Sequence, residues 1–319
     1  MSLDIWPPVS SHELKTQIQE TQNRELDWFI TEVLAVCTEL KHGLEDCYAL
    51  LAPIEPGTTL VMSTPRNERV KGTITRIGTR IVKGSLNIQL RTVPAQTLTV
   101  SSTNPIHIPA LDGVFTHLTQ SIDLLGIILS EKKPDAAALS STLSVLAEAL
   151  SESTALLKGP AGLIDSDPKW QTGSCPAHHF SPAIGPSLSV FVGIQDSCIV
   201  LSLRALEEAN APVNFGLKLG LAIGTVRRLE HDEMDVTFRY DPKGDGSTDL
   251  QSSNQRRLPK QPTSAKPANG MDVYVREKVR VESADASLIS LFAKLGYLSH
   301  SLGQARRNLA AVMGTEYQA

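Results

Sequence analysis

Residues 284–314 repeat their apolar side chains every seven positions. Leu288, Leu295, Leu302 and Leu309 form one row; Leu291, Leu298, Ala305 and Val312 form a second, offset by three. On a helix both rows fall on one face, the seam of a coiled coil or helix bundle. A seam of this length needs a covering helix, and the chain carries candidates of its own. The two ends of the protein are therefore expected to pack together. Nothing in the seam performs chemistry, which points first to an interaction protein.

The first cover is a helix over residues 11–51. Its apolar rows are Leu26, Val33, Leu40 and Cys47; Phe29, Val36, Gly43 and Leu50; and Ile30, Cys37, Leu44 and Leu51. Three rows in seven make a stripe wide enough for a multi-helix bundle. The part before Arg24 is polar and is expected to fray. Two more helices follow Pro105 and Pro109: Leu111, Phe115, Leu118, Ile122, Leu125 and Leu129, then Leu139, Leu143, Leu146, Leu150 and Leu157. The short joint around Pro134 predicts an antiparallel hairpin. The expected seam residues are Leu288, Leu291, Leu295, Leu298, Leu302, Leu309 and Val312 on the last helix, with Leu26, Phe29, Val33, Val36 and Leu40 on the first.

Between the helical stretches the period drops to two. Val70, Gly72 and Ile74 alternate with polar residues, as do Leu86, Ile88 and Leu90, then Leu98 and Val100. Such alternation reads as antiparallel strands with one wet face, with Gly78 and Gly84 as turn residues. Strand signals return at 188–192, 198–203, 217–226, 234–240 and 273–281. The expected fold is α+β: an antiparallel helical bundle of about four helices (N-terminal, two central, C-terminal) plus a separate antiparallel β-sheet domain, both discontinuous in sequence. Residues 11–52, 105–159 and 284–314 make the bundle, and 53–104 with 180–283 the β-domain. Residues 160–179 connect them, and 241–270, polar and rich in Pro and Gly, form a disordered insert.

A hydrophobic fraction of 41% supplies a real core, and with only 5% aromatic residues aliphatic side chains must build it. A net charge of -4 argues against a general nucleic-acid binder, which shows a basic surplus. Cys37, Cys47, Cys175 and Cys198 read as reduced thiols of a cytosolic chain. The polar, Pro-containing residues 1–10 lack the basic-then-apolar order of an export signal. No window reaches the ~18 uninterrupted apolar residues of a membrane span.

Few residue patterns in the chain suggest chemistry. Cys175-Pro-Ala-His178-His179 offers three metal ligands where a structural zinc site takes four. Asp241, Asp245, Gly246 and Asp249 imitate a calcium loop, but Lys243 and Ser252 stand where the loop needs oxygen ligands and a bidentate acid. Gly216, Gly220 and Gly224 lack the Lys-Ser/Thr of a phosphate loop. His107, His117, His231 and His300 are scattered. No catalytic residue, metal or cofactor is expected. Within the insert Arg256, Arg257, Lys260 and Lys266 stand without an acid between residues 251 and 270; they read as a solvated linker or as contacts to an acidic partner or membrane surface.

Several stretches, in order, resemble the Rogdi family of leucine-zipper proteins, whose fungal members are the second subunit of the RAVE complex, regulator of the vacuolar and endosomal proton ATPase. They are residues 25–40 (ELDWFITEVLAVCTEL), 70–75 (VKGTIT) with 86–90 (LNIQL), 180–183 (FSPA) before the strands of Val190 and Leu201, and 275–283 (VREKVRVES) leading into the heptad helix. The segment from about 241 to 270 departs from that resemblance, being longer than in animal relatives. The resemblance implies a non-enzymatic scaffold that promotes assembly or reassembly of the V-ATPase peripheral sector onto its membrane sector, supporting vacuolar acidification. Implied partners are the large propeller-containing RAVE subunit and V-ATPase peripheral-sector subunits, with the Skp adaptor as a further candidate. It implies a cytoplasmic protein recruited to vacuolar or endosomal membrane through partners, with no nucleic acid and no transmembrane segment. The competing reading is a cytoskeletal or trafficking adaptor that dimerises through an exposed zipper helix.

Overall fold

The structure, a computed structural model, describes residues 10–131, 134–160, 169–209, 236–241 and 270–314. Among these residues the protein is α+β, with five α-helices and two antiparallel sheets. The helices are α1 (Ser11–Leu51), α2 (Pro109–Ser130), α3 (Ala136–Lys158), α4 (Trp170–Gly173) and α5 (Ala286–Met313). The first sheet orders β1 (Thr58–Ser63), β2 (Val70–Ile77), β3 (Arg80–Ile88), β4 (Gln96–Val100) and β6 (Phe180–Ser181), and β5 (Ile106–His107) pairs with β3. The second orders β7 (Leu188–Gln195), β8 (Cys198–Glu208), β10 (Met271–Ala284) and β9 (Thr237–Tyr240).

By contact the chain divides into two units. One holds the described residues of Met1–Leu51, Gly113–Ala155 and Ser290–Ala319, and the other those of Ala52–Asp112 and Leu156–Ile289. The divisions fall inside α2, α3 and α5, because the ends of these helices are tied to strands. Ser197 N–H donates to Leu157 O at 2.8 Å and Asp196 N–H to Lys158 O at 2.9 Å. Leu288, expected in the helical seam, accordingly counts with the strand-bearing unit.

In the strand-bearing unit each sheet has an apolar face. Leu60, Met62, Ile74, Leu86 and Leu98 are buried from the first sheet, and Val190, Val192, Leu201, Leu203 and Val281 from the second. Glu277 sits on the apolar face of the second sheet, opposite Ala205, after a register shift in β10. Its Oε2 accepts the Arg91 N–H at 2.8 Å and its Oε1 lies 3.5 Å from Arg69 Nη1, so a buried carboxylate ties β10 to the segments just before β2 and just after β3. A satellite core gathers Trp170, Leu206, Tyr240, Val273 and Val275, with the Arg204 guanidinium 4.6 Å over the Trp170 ring.

Several sequence expectations change. Gly78 is a turn residue with φ 60°, but Gly84 lies inside β3. A Cβ there would stand 3.0 Å from Ile74 Cγ2 and 3.1 Å from Val100 Cγ2, so close packing, not a turn, needs glycine. The strands form two sheets rather than one, and β1 carries no clean period-two signal. The stretch read as a plain connection contains α4, whose Trp170 is buried. The first fifteen residues of α1 are helical though exposed. Asp135 caps α3: its Oδ2 accepts the N–H groups of Ala137 and Ala138, both at 3.2 Å. The α2 helix has the length and composition to cross a membrane, yet Val114, Leu118 and Leu125 are buried against protein. The strand expected at 217–226 and the insert of 241–270, apart from Asp241 and Gly270, lie outside the described residues.

Candidate functional site

The seam is assembled from α1 and α5. On α1 the buried residues are Ile30, Val33, Cys37, Leu40, Leu44, Cys47 and Leu51, alternating steps of three and four. They come from two of the three apolar rows; Leu26, Phe29 and Val36 are only half-buried. On α5 Leu291, Leu295, Leu298, Leu302, Ala305 and Leu309 are buried, and Val312 is half-buried near the helix end. Burying one such leucine is worth about 1.5–3 kcal/mol.

The contacts fix direction and register. Lys294 Nζ donates to Asp46 Oδ2 at 2.8 Å, and a Cβ on Gly43 would lie 2.5 Å from Leu298 Cδ2. The two helices therefore run antiparallel, and Gly43 admits the leucine that opposes it. Lys294 holds the Asp46 carboxyl below its ordinary value by hydrogen bond and charge. The pair is exposed, so it sets register more than stability. Tyr48 and Phe115 bring α1 and α2 together, with ring centroids 5.0 Å apart. His117 Nδ1 is 3.3 Å from Ser153 Oγ, joining α2 to α3, and Arg306 Nη2 donates to Ser144 Oγ at 3.3 Å, joining α5 to α3. The Cys37 and Cys47 thiols are pushed up to about 11 by burial, which keeps them neutral apolar fillers of the seam.

The start of α5 is anchored in the strand-bearing unit. Asp285 is fully buried and its Oδ1 accepts the Ser287 N–H at 2.9 Å, an N-cap. Its Oδ2 accepts Arg76 Nε at 2.7 Å, and Arg76, itself buried, also donates Nη1 to Gly78 O at 2.5 Å. One carboxylate thus caps a helix and neutralises a buried guanidinium. Sequence reading missed this pair, because its members lie 209 residues apart; an Asp before a heptad helix was the one available signal.

Cys175 is held among backbone groups, its N–H donating to Val190 O at 2.7 Å, and burial pushes its thiol up to about 12. His179 Nδ1 lies 2.9 Å from Asn104 O, and burial lowers its basicity. Among the described residues no three of His, Cys, Asp and Glu are grouped to hold a metal. Arg256, Arg257, Lys260, Lys266, Gly216, Gly220, Gly224 and the remaining calcium-like positions after Asp241 lie outside the described residues.

A family model described as Rogdi leucine zipper containing protein matches residues 25–310, and the chain belongs to that family. Comparison with curated proteins finds no match.

Proposed function

We propose that this Rogdi leucine-zipper protein is the second subunit of a RAVE complex, a non-enzymatic scaffold that promotes assembly of the V-ATPase peripheral sector onto its membrane sector. Family membership across residues 25–310 carries the reading. The scaffold acts by binding: holding separated subunits near one another raises their effective concentration without bond chemistry. Its partners are the large propeller-containing subunit, V-ATPase peripheral-sector subunits and the Skp adaptor. It works in the cytoplasm and reaches vacuolar or endosomal membrane through them. Arg256, Arg257, Lys260 and Lys266 supply a further contact to an acidic partner or membrane surface.

In this reading α1, α2, α3 and α5 close into one antiparallel bundle, supported by the side-chain contacts that join them in turn. The seam leucines are then consumed within the chain: Leu295 and Leu309 are 0% exposed. The zipper-dimer adaptor needs that seam open, so the burial weighs against it. The test is native purification of the tagged protein from cells, with partners identified by mass spectrometry before and after carbon-source withdrawal. Recovery of the propeller subunit and peripheral-sector subunits is expected; their absence in both conditions overturns the proposal.

A further inference from the structure

The first sheet carries no Asp or Glu in any of its six strands, in a chain with 34 acidic residues among 319. Its four basic residues divide by face. Arg76 points inward to Asp285, while Lys71, Arg80 and Lys83 point outward and are exposed. The pairing spreads them over two neighbouring strands, Lys71 on β2 and Lys83 and Arg80 on β3. Lys71 lies four residues before Thr75 on β2, Lys83 is opposite Thr75, and Arg80 is opposite Ile77. At ~3.3 Å per residue, Lys83 and Arg80 stand about 13 and 20 Å along the sheet from Lys71. Between them the outward positions are small and polar, as in the cross-strand pair Thr73 and Ser85. Thr59 and Thr75 hydroxyls meet at 3.2 Å.

We infer that this outer face docks an extended, Asp/Glu-rich segment of a partner protein. Complementary charge is the reason: three cations without a carboxylate on their own sheet form a strip of one sign. Spacing supplies the form of the ligand. Side chains at i, i+4 and i+6 of an extended segment laid between β2 and β3 all point one way and come within reach of Lys71, Lys83 and Arg80 in turn. Short hydroxyl side chains between the cations let the segment lie flat and offer it hydrogen bonds. An anionic membrane fits less well, because the outward strand positions are mostly polar, with Val61 exposed and Ile77 half-buried. The inference goes beyond the scaffold proposal and holds whether or not the chain serves proton-pump assembly.

The test uses the purified full chain and a fluorescein-labelled peptide of six Glu-Ser repeats, followed by anisotropy at low and moderate salt. Binding is expected, weakened at least tenfold by the higher salt and at least tenfold by the combined Lys71→Ser, Arg80→Ser and Lys83→Ser variant. The surface variant Arg307→Ser, on α5, retains binding, and so does Lys71→Arg with Lys83→Arg, whose charge is unchanged. Circular dichroism reports whether each variant is folded. No peptide binding, or binding unchanged in the folded triple variant, overturns the inference. So does co-sedimentation with phosphatidylserine vesicles that depends on these cations while the peptide fails to bind; that outcome assigns the face to lipid.

Discussion

Replacing Asp285 by Asn separates the two tasks of this side chain. The amide keeps an oxygen for the Ser287 N–H, so the cap survives, but the charge opposite Arg76 is gone. Arg76 is 3% exposed and cannot turn to water without unpacking the sheet. Removing one partner of a buried pair costs about 3–5 kcal/mol, because the other charge stays buried and uncompensated. For a unit of this size 1 kcal/mol moves Tm by about 2–4 °C, so Asp285→Asn is expected to lower it by roughly 6–20 °C. Asp285→Ala loses the cap as well, adding about 1 kcal/mol. Combining Asp285→Asn with Arg76→Met removes both charges, and most of the loss is expected to return. Differential scanning fluorimetry of the wild type, Asp285→Asn, Arg76→Met and the double variant completes the cycle. A fall of under 2 °C in Asp285→Asn, or strictly additive losses in the double variant, would refute the claim that the pair anchors α5.

Leu302→Asp buries an unpaired charge in the seam and is expected to unfold or open the helical unit, read as lost helical ellipticity; an unchanged melting temperature refutes its placement. Gly296 and Gly303 face open space on α5, so changing each to Ala is expected to stabilise by about 0.5–1 kcal/mol in urea titration. Cys37, Cys47 and Cys175 are expected to resist a thiol reagent at pH 8 in the native protein and to react on unfolding. Because burial raises the Cys37 thiol from 9.0 to about 11, the unfolded chain loses its proton first. Stability from this source is intact below pH 9 and falls between pH 9 and 11; alkaline stability that rises over this window contradicts the burial.

The helices were legible because their apolar spacing is local. Leu295, Leu298, Leu302 and Leu309 lie where the heptad puts them, and the same rule on α1 marks Val33 and Leu40. It overreached at Phe29 and Val36: three rows could face a core, and contacts from other helices select two. Among strands, the alternation at 70–76 and 86–90 was readable, but Gly84 was misjudged, since a glycine that admits Ile74 and Val100 resembles a turn glycine until the strands are paired. The basic strip was also invisible. Lys71, Arg80 and Lys83 are unremarkable in a row of letters, and only register places them on one face.

From the sequence alone follow the periods, hence which segments are helix or strand and which face of each is apolar. These depend on neighbours three, four or two positions away along the chain. The tertiary structure alone decided which polar groups meet: Arg76 with Asp285, Glu277 with Arg69 and Arg91. Local pattern specifies that a face must be covered without specifying by what. A buried charge is tolerable only where its partner arrives from a distant segment, and that arrival is a property of the whole fold.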